Sequence, residues 1–171
     1  ADYISSLLAL VGEFKQYGIT PKMLEDTAAR LPQDSTIRQK TSELALILEG
    51  YQALLEAGYV DPQDHLTKLA ERIGESSLVR KATVFVDGFK GFTEQELAVL
   101  AQILRLASRT TVALCAENIA GYRQQQESWS HFYTPEKTAG RLMQMAQDHQ
   151  VPVAAPIRLT ENRRTASPAL R

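Results

Sequence analysis

Lys81-Ala82-Thr83-Val84-Phe85-Val86-Asp87-Gly88-Phe89-Lys90-Gly91-Phe92-Thr93-Glu94-Gln95-Glu96 is the stretch on which the fold turns. Residues 82–86 form a short β-branched and aromatic run closed by Asp-Gly, the pattern of a strand buried on both faces in a parallel sheet. Thr93 and Glu96 stand three apart, just ahead of Leu97, Leu100, Ile103, Leu104 and Ala107, so a capping box is expected to open an amphipathic helix. A second apolar run, Thr110 to Cys115, follows after a tight connection. Strand, helix and strand in that order predict a β-α-β unit with a right-handed crossover and a parallel sheet covered on both faces. Its active edge lies where the strands end.

Downstream, a polar loop carries Trp129, His131 and Tyr133, and Thr134-Pro135 is expected to open a helix running to about His149. Val153 to Leu159 offers a third strand, which Pro152 and Pro156 confine to an edge or make irregular. The stretch from Thr160 reads as loop.

Upstream, the period is that of helices. Ile4, Leu7, Leu8, Val11 and Phe14 share one helical face, and Gly18 supplies a C-terminal stop. Thr20-Pro21 starts the next helix, since Thr caps orphan amides and Pro at the first helical position loses no bond. A longer helix is expected from about Ser35 to Ala57, with Ile37, Leu44, Leu48, Tyr51 and Leu55 on one stripe and Gly58 closing it. Asp61-Pro62 repeats the cap-then-proline pattern ahead of Leu66, Leu69 and Ile73. The expected fold is therefore α/β, a four-helix subdomain over residues 1–80, a partial β-α-β-α-β parallel sheet over 81–160 and a tail over 161–171.

Composition narrows the function classes. The 171 residues are 44% hydrophobic and 23% charged, the balance of a globular protein. The net charge of −1 gives no long-range positive field, so any nucleic-acid contact has to be local. Cys115 is the only cysteine, which excludes an intramolecular disulfide; its apolar setting reads as a buried strand thiol in a reducing, cytoplasmic compartment. No apolar run approaches the roughly 20 residues of a membrane span. The chain starts at Ala1 without a methionine and stops at Ala-Leu-Arg, so both ends read as cuts in a longer protein, although methionine removal or tag cleavage explains the first equally well.

Asp87 is the leading candidate for chemistry. An acid at the carboxyl end of a parallel strand is placed to hold a magnesium ion that bridges nucleotide phosphates, because a hard cation prefers oxygen ligands. The same residue also fits a simple turn with Gly88. The rest of a phosphate site is missing: no Gly-x-x-x-x-Gly-Lys-Ser/Thr loop occurs, and Gly88-Phe89-Lys90-Gly91 lacks its spacing. His65, His131 and His149 show no metal-binding spacing. No Gly-x-Ser-x-Gly elbow exists, and Cys115 is expected in an apolar strand, a poor setting for a nucleophile, which sets hydrolytic triads aside. Tyr122, Arg123, Trp129, Phe132 and Tyr133 combine aromatic rings with charge as a base-stacking loop does, or else pack that loop on itself. Arg158, Arg163, Arg164 and Arg171 concentrate positive charge near the C-terminus, as a solvated tail also does.

Val84-Phe85-Val86-Asp87-Gly88-Phe89-Lys90-Gly91-Phe92-Thr93-Glu94-Gln95-Glu96 closely resembles the Val-Asp-Gly-Phe-x-x-Phe-Thr-Pro-Gln-Glu stretch of the AddB/RexB family, the B subunits of bacterial ATP-dependent helicase/nucleases. Glu94 replaces the usual Pro. Glu13-Phe14-Lys15-Gln16-Tyr17 is similar to that family's Glu-Phe-Lys-Arg-Tyr, and Thr111-Val112-Ala113-Leu114 extends the likeness forward. The resemblance implies an inserted helical subdomain and part of a RecA-like domain from a helicase-like N-terminal half. Active helicases of that superfamily end the equivalent strand in Asp-Glu, the Asp holding magnesium and the Glu activating water. Here Asp87 keeps the first position and Gly88 takes the second. After the next strand those enzymes place Gly-Asp and a Gln, against Cys115-Ala116 and Ile119 here.

The resemblance thus implies a noncatalytic scaffold segment acting in double-strand-break end processing and recombinational repair, with a partner A subunit and DNA. Magnesium and ATP belong to the parent protein, a hydrolase, and none is expected on this segment, which should itself be inactive. Two other classes stay open from the residues alone: a small nucleotide-binding or phosphotransfer α/β protein using Asp87, and a helical protein-interaction module.

Overall fold

The computed structural model describes residues 2–59, 61, 64–117 and 131–159. The chain forms two compact units, residues 1–115 and 116–171.

Helices α1 (Tyr3–Gln16), α2 (Pro21–Arg30), α3 (Thr36–Glu56) and α4 (His65–Arg72) open the first unit. Their starts follow local chemistry. The Thr20 hydroxyl accepts a bond from the Met23 amide at 3.3 Å with Pro21 at the first helical position, and the Ser35 hydroxyl accepts from the Arg38 amide at 3.2 Å. Gly18 adopts φ +66° after α1 and Gly58 φ +106° after α3, left-handed conformations that glycine takes without a Cβ penalty.

Packing selects among the expected apolar positions. Val11 in α1, Ala28 in α2 and Ala45 and Leu48 in α3 are buried, whereas Ile4, Leu8, Ile37 and Leu69, expected on inward stripes, are exposed. The extensive helix contacts pair α2 with α3, and α4 with the helix α6 (Glu94–Leu106). Asp61 is a second departure: the cap position of α4 belongs to Asp64, and Asp61 is buried.

A 3-10 turn (Ile73–Glu75) and a short helix α5 (Ser77–Lys81) lead into β1 (Thr83–Val86), then α6 and β2 (Arg109–Val112). The capping box of α6 forms: the Thr93 hydroxyl accepts from the Glu96 amide at 3.3 Å, and the Glu96 carboxylate accepts from the Thr93 amide at 2.7 Å. Leu97, Val99 and Leu100 carry the buried side of α6. The two strands pair in parallel with Val84 opposite Thr110 and Val86 opposite Val112.

Three expectations about the sheet are corrected. The strands are not buried on both faces: Val84, Val86, Thr110 and Val112 are partly covered, while the alternate face carries exposed Thr83, Phe85, Arg109 and Thr111. With a side-chain period of two, covering one face leaves Phe85 74% exposed. β2 ends at Val112, so Cys115 lies beyond the strand and is exposed. Residues 153–159 form no strand; Pro152 and Pro156 lack the amides a ladder needs, and the sheet among the described residues is two-stranded.

In the second unit α7 (Tyr133–Asp148) buries Pro135, Glu136, Thr138, Ala139 and Ala146. The Val151 amide donates to the Ala146 carbonyl at 2.8 Å, with Gln150 at φ +56°, a left-handed turn that ends the helix. No described helix is long and apolar enough to cross a membrane.

Candidate functional site

Asp87 stands immediately past the last residue of β1. The Ala113 amide donates to the Val86 carbonyl at 2.8 Å, which holds the strands together up to that point and puts Asp87 at the carboxyl edge of the sheet. Its side chain is exposed, and Oδ1 accepts a bond from the Gly88 amide at 2.8 Å. Gly88 has φ +85°, and a Cβ built on it would meet nothing within 4 Å. Backbone conformation rather than crowding therefore favours glycine there.

Two rings follow in the loop. Phe89 and Phe92 stack with centroids 4.9 Å apart, Phe89 keeping 43% of its surface exposed. Glu96, nearby in sequence, is committed to the capping box. Among the described residues no group of three or more His, Cys, Asp or Glu side chains is placed to share a metal ion. An exposed carboxylate outside any such group fits at most a hydrated magnesium, which keeps several of its waters.

Tyr122, Arg123 and Trp129 lie outside the described residues, as do Ile119, Arg163, Arg164 and Arg171. His65 begins α4, and His131 and His149 belong to the second unit.

Among the described residues the most concentrated electrostatics sit elsewhere, in a cluster that sequence reasoning misses. Lys15 of α1 donates to Asp61 Oδ2 at 2.6 Å and pairs with Asp64, and the Tyr51 hydroxyl of α3 donates to Asp61 Oδ2 at 2.7 Å. The Lys15 ammonium also lies 5.6 Å from the centre of the Tyr51 ring. The Asp61 side chain is 3% exposed and that of Lys15 14%. Burial works to lower the Lys15 pKa, but hydrogen bonds to and attraction by Asp61 and Asp64 outweigh it, and the net shift is upward. The bond to Asp61, then burial, raises the Tyr51 pKa. The cluster ties α1, α3 and the turn before α4 together. One signal points to it in the sequence: Lys15 is the centre of the Glu13-Phe14-Lys15-Gln16-Tyr17 motif.

The chain has relatives over its whole length. A family model described as ADDB, N-terminal, matches residues 1–171. A protein of Desulforudis audaxviator, named as the B subunit of an ATP-dependent helicase/deoxyribonuclease, is 37% identical over 173 aligned residues, covering 98% of this chain and 15% of that protein. Proteins with the same name from Acetivibrio thermocellus and Moorella thermoacetica are 30% and 35% identical, covering 88% and 84% of this chain. The chain spans 13% of the length of each of these two relatives.

Proposed function

The chain belongs to the AddB N-terminal family, and from that premise we infer that it is a noncatalytic, helicase-like scaffold segment of a bacterial helicase/nuclease B subunit. In this reading residues 1–80 are the inserted helical subdomain and residues 81–160 part of a RecA-like domain. The parent protein acts with an A subunit on DNA ends, in double-strand-break processing and recombinational repair in the cytoplasm. Magnesium and ATP, where the parent binds them, meet this segment at Asp87.

The observation that carries the reading is the pair Asp87-Gly88 at the carboxyl edge of the sheet. Asp87 is exposed there and has the oxygen chemistry of a magnesium ligand, while Gly88 has no side chain with which to orient a water and a φ of +85° that disfavours any residue that does. A nucleotide hydrolase needs both positioning and charge stabilisation of the phosphoryl group. Half of that pair supports holding and not turnover. DNA holding finds a described candidate in Phe89, whose exposed ring sits in the loop after Asp87 and suits stacking on a base. Tyr122, Arg123 and Trp129 are the further candidates from sequence.

The test is titration calorimetry and a phosphate-release assay with ATP and magnesium on the 171-residue chain. No heat at millimolar nucleotide and no turnover are expected. Magnesium-dependent hydrolysis that Asp87→Ala abolishes would overturn the scaffold reading in favour of a nucleotide-hydrolysing protein.

A further inference from the structure

The loop that carries Asp87 and Phe89 is short, and its conformation depends on how its two ends are held. β1 fixes one end, and α6, capped by Thr93, fixes the other. The first turn of α6 is in turn gripped twice by the helical segment. Gln95, only 8% exposed, donates from Nε2 to the Thr67 hydroxyl of α4 at 3.0 Å. Beside it, Glu94 lies against the turn that ends α1, where a Cβ on Gly18 would stand 3.8 Å from the Glu94 Cβ and Cγ, ordinary contact distance.

The two grips share one anchor. The Lys15 carbonyl accepts the Gly18 amide at 3.2 Å, and the Lys15 ammonium pairs with Asp64, the residue immediately before α4, whose first turn holds Thr67. The contacts close a circuit: Lys15, Asp64, Thr67, Gln95, Glu94, Gly18 and back to Lys15. Its charged link is largely covered, with side chains 14% and 23% exposed, so salt and water weaken it less than they weaken a surface pair. Lys15 belongs to the family-like stretch 13–17 and Gln95 to the stretch 84–96. The circuit thus joins the helical segment to the β-α-β segment.

We propose that this circuit is a latch by which the helical segment sets the conformation of loop 87–92, with Gln95 as its positioning residue. Closed, it presents Asp87 and Phe89 as described above. Opened at any link, it frees the first turn of α6 and lets the loop move while β1 and β2 stay paired. Displacing α1 or α4 therefore changes how Asp87 and Phe89 are presented. The latch goes beyond the scaffold reading and does not rest on it, because it concerns the conformation of the loop whatever ligand the loop meets.

Amide exchange followed by NMR on the 171-residue chain reads the latch without nucleotide or DNA, so its failure and that of the scaffold reading are separate results. The reporters are the Thr93 amide, bonded to the Glu96 carboxylate, and the contact between the Phe89 and Phe92 rings. Gln95→Leu keeps the bulk of the side chain and removes the donor; Thr67→Val removes the acceptor at an exposed position. Each should speed exchange of the Thr93 amide about fivefold, the worth of one ordinary hydrogen bond, and weaken the cross-peaks between the two rings. The double variant should do no more than either alone, since both break the same link. Thr67→Ser, which keeps the hydroxyl, should exchange like the unsubstituted chain. Asp64→Asn keeps a residue suited to a helix start but removes the charge that holds Lys15; touching neither reporter, it should act in the same direction as Gln95→Leu. Ala28→Gly, at a buried site of α2 outside the circuit, should lower the melting temperature and leave both reporters unchanged. Unchanged reporters in Gln95→Leu, Thr67→Val or Asp64→Asn, additive effects of the first two, or an equal effect of Ala28→Gly overturn the proposal.

Discussion

Asp61 and Asp87 lie in the same compact unit and have opposite surroundings. Asp61 is enclosed, held by the Lys15 ammonium at 2.6 Å and the Tyr51 hydroxyl at 2.7 Å. Asp87 is exposed at a sheet edge, and its Oδ1 bonds the amide of the next residue. In the sequence they look alike, an acid followed by Pro in one case and by Gly in the other, both standard turn pairs. The difference teaches that an acid bound into a buried network belongs to the scaffold, whereas an acid held by its own turn keeps its charge available to a ligand.

The largest effect should come from emptying the first of these environments. Lys15→Met leaves Asp61 buried with its main cationic partner gone, and breaking a buried pair on one side costs about 3 kcal/mol. Urea unfolding should report that loss; a change below about 1 kcal/mol would mean that the cluster is effectively solvated and the contrast with Asp87 is false. The alkaline limb checks the same cluster. Lys15 and Tyr51 both hold their protons more tightly when folded. As pH rises past about 10 the unfolded chain releases these protons first, so stability is full below that pH and falls as the pH climbs through the folded-state values. Lys15→Met should make that alkaline decline shallower.

Why Asp87 is legible in the sequence and Asp61 is not follows from how far apart the deciding partners lie. The Thr20, Ser35 and Thr93 helix starts, and the place of Asp87 after a β run, depend on bonds within three residues or on a short run of side chains, and local sequence carries them. Asp61 depends on Lys15, 46 residues away, and on Tyr51, 10 residues away. No periodicity encodes such a meeting, so the residue reads as a cap. Phe85 and Cys115 mislead for a related reason: apolar neighbours suggest burial, but a strand side chain is covered only if another layer reaches its face. Val153 to Leu159 shows the reverse, where two prolines outweigh an apolar pattern.

Gly88 sharpens the comparison from the backbone side. A Cβ there meets nothing within 4 Å, so the cost of Gly88→Ala is the left-handed φ alone, about 1 kcal/mol. Gly88→Glu should lose a similar amount and, on the proposed scaffold reading, gain no ATP turnover, because a glutamate side chain on this left-handed backbone is not aimed at a nucleotide. Thermal unfolding with a phosphate-release assay decides this. A Gly88→Glu chain that hydrolyses ATP would overturn the proposed role of the backbone conformation, since a glutamate side chain would then suffice.

The smallest effect is expected at Asp87 itself. Asn keeps an Oδ1 that accepts the Gly88 amide proton and removes only the negative charge, so Asp87→Asn separates the turn from the proposed cation site. Exposed positions of this kind change stability by less than about 0.5 kcal/mol, and whatever magnesium-dependent stabilisation the chain shows should vanish in the variant. A loss above about 1 kcal/mol without magnesium would place Asp87 beside Asp61 as a structural acid. The open carboxylate at the sheet edge would then carry no information about function, because its charge would already be used by the fold.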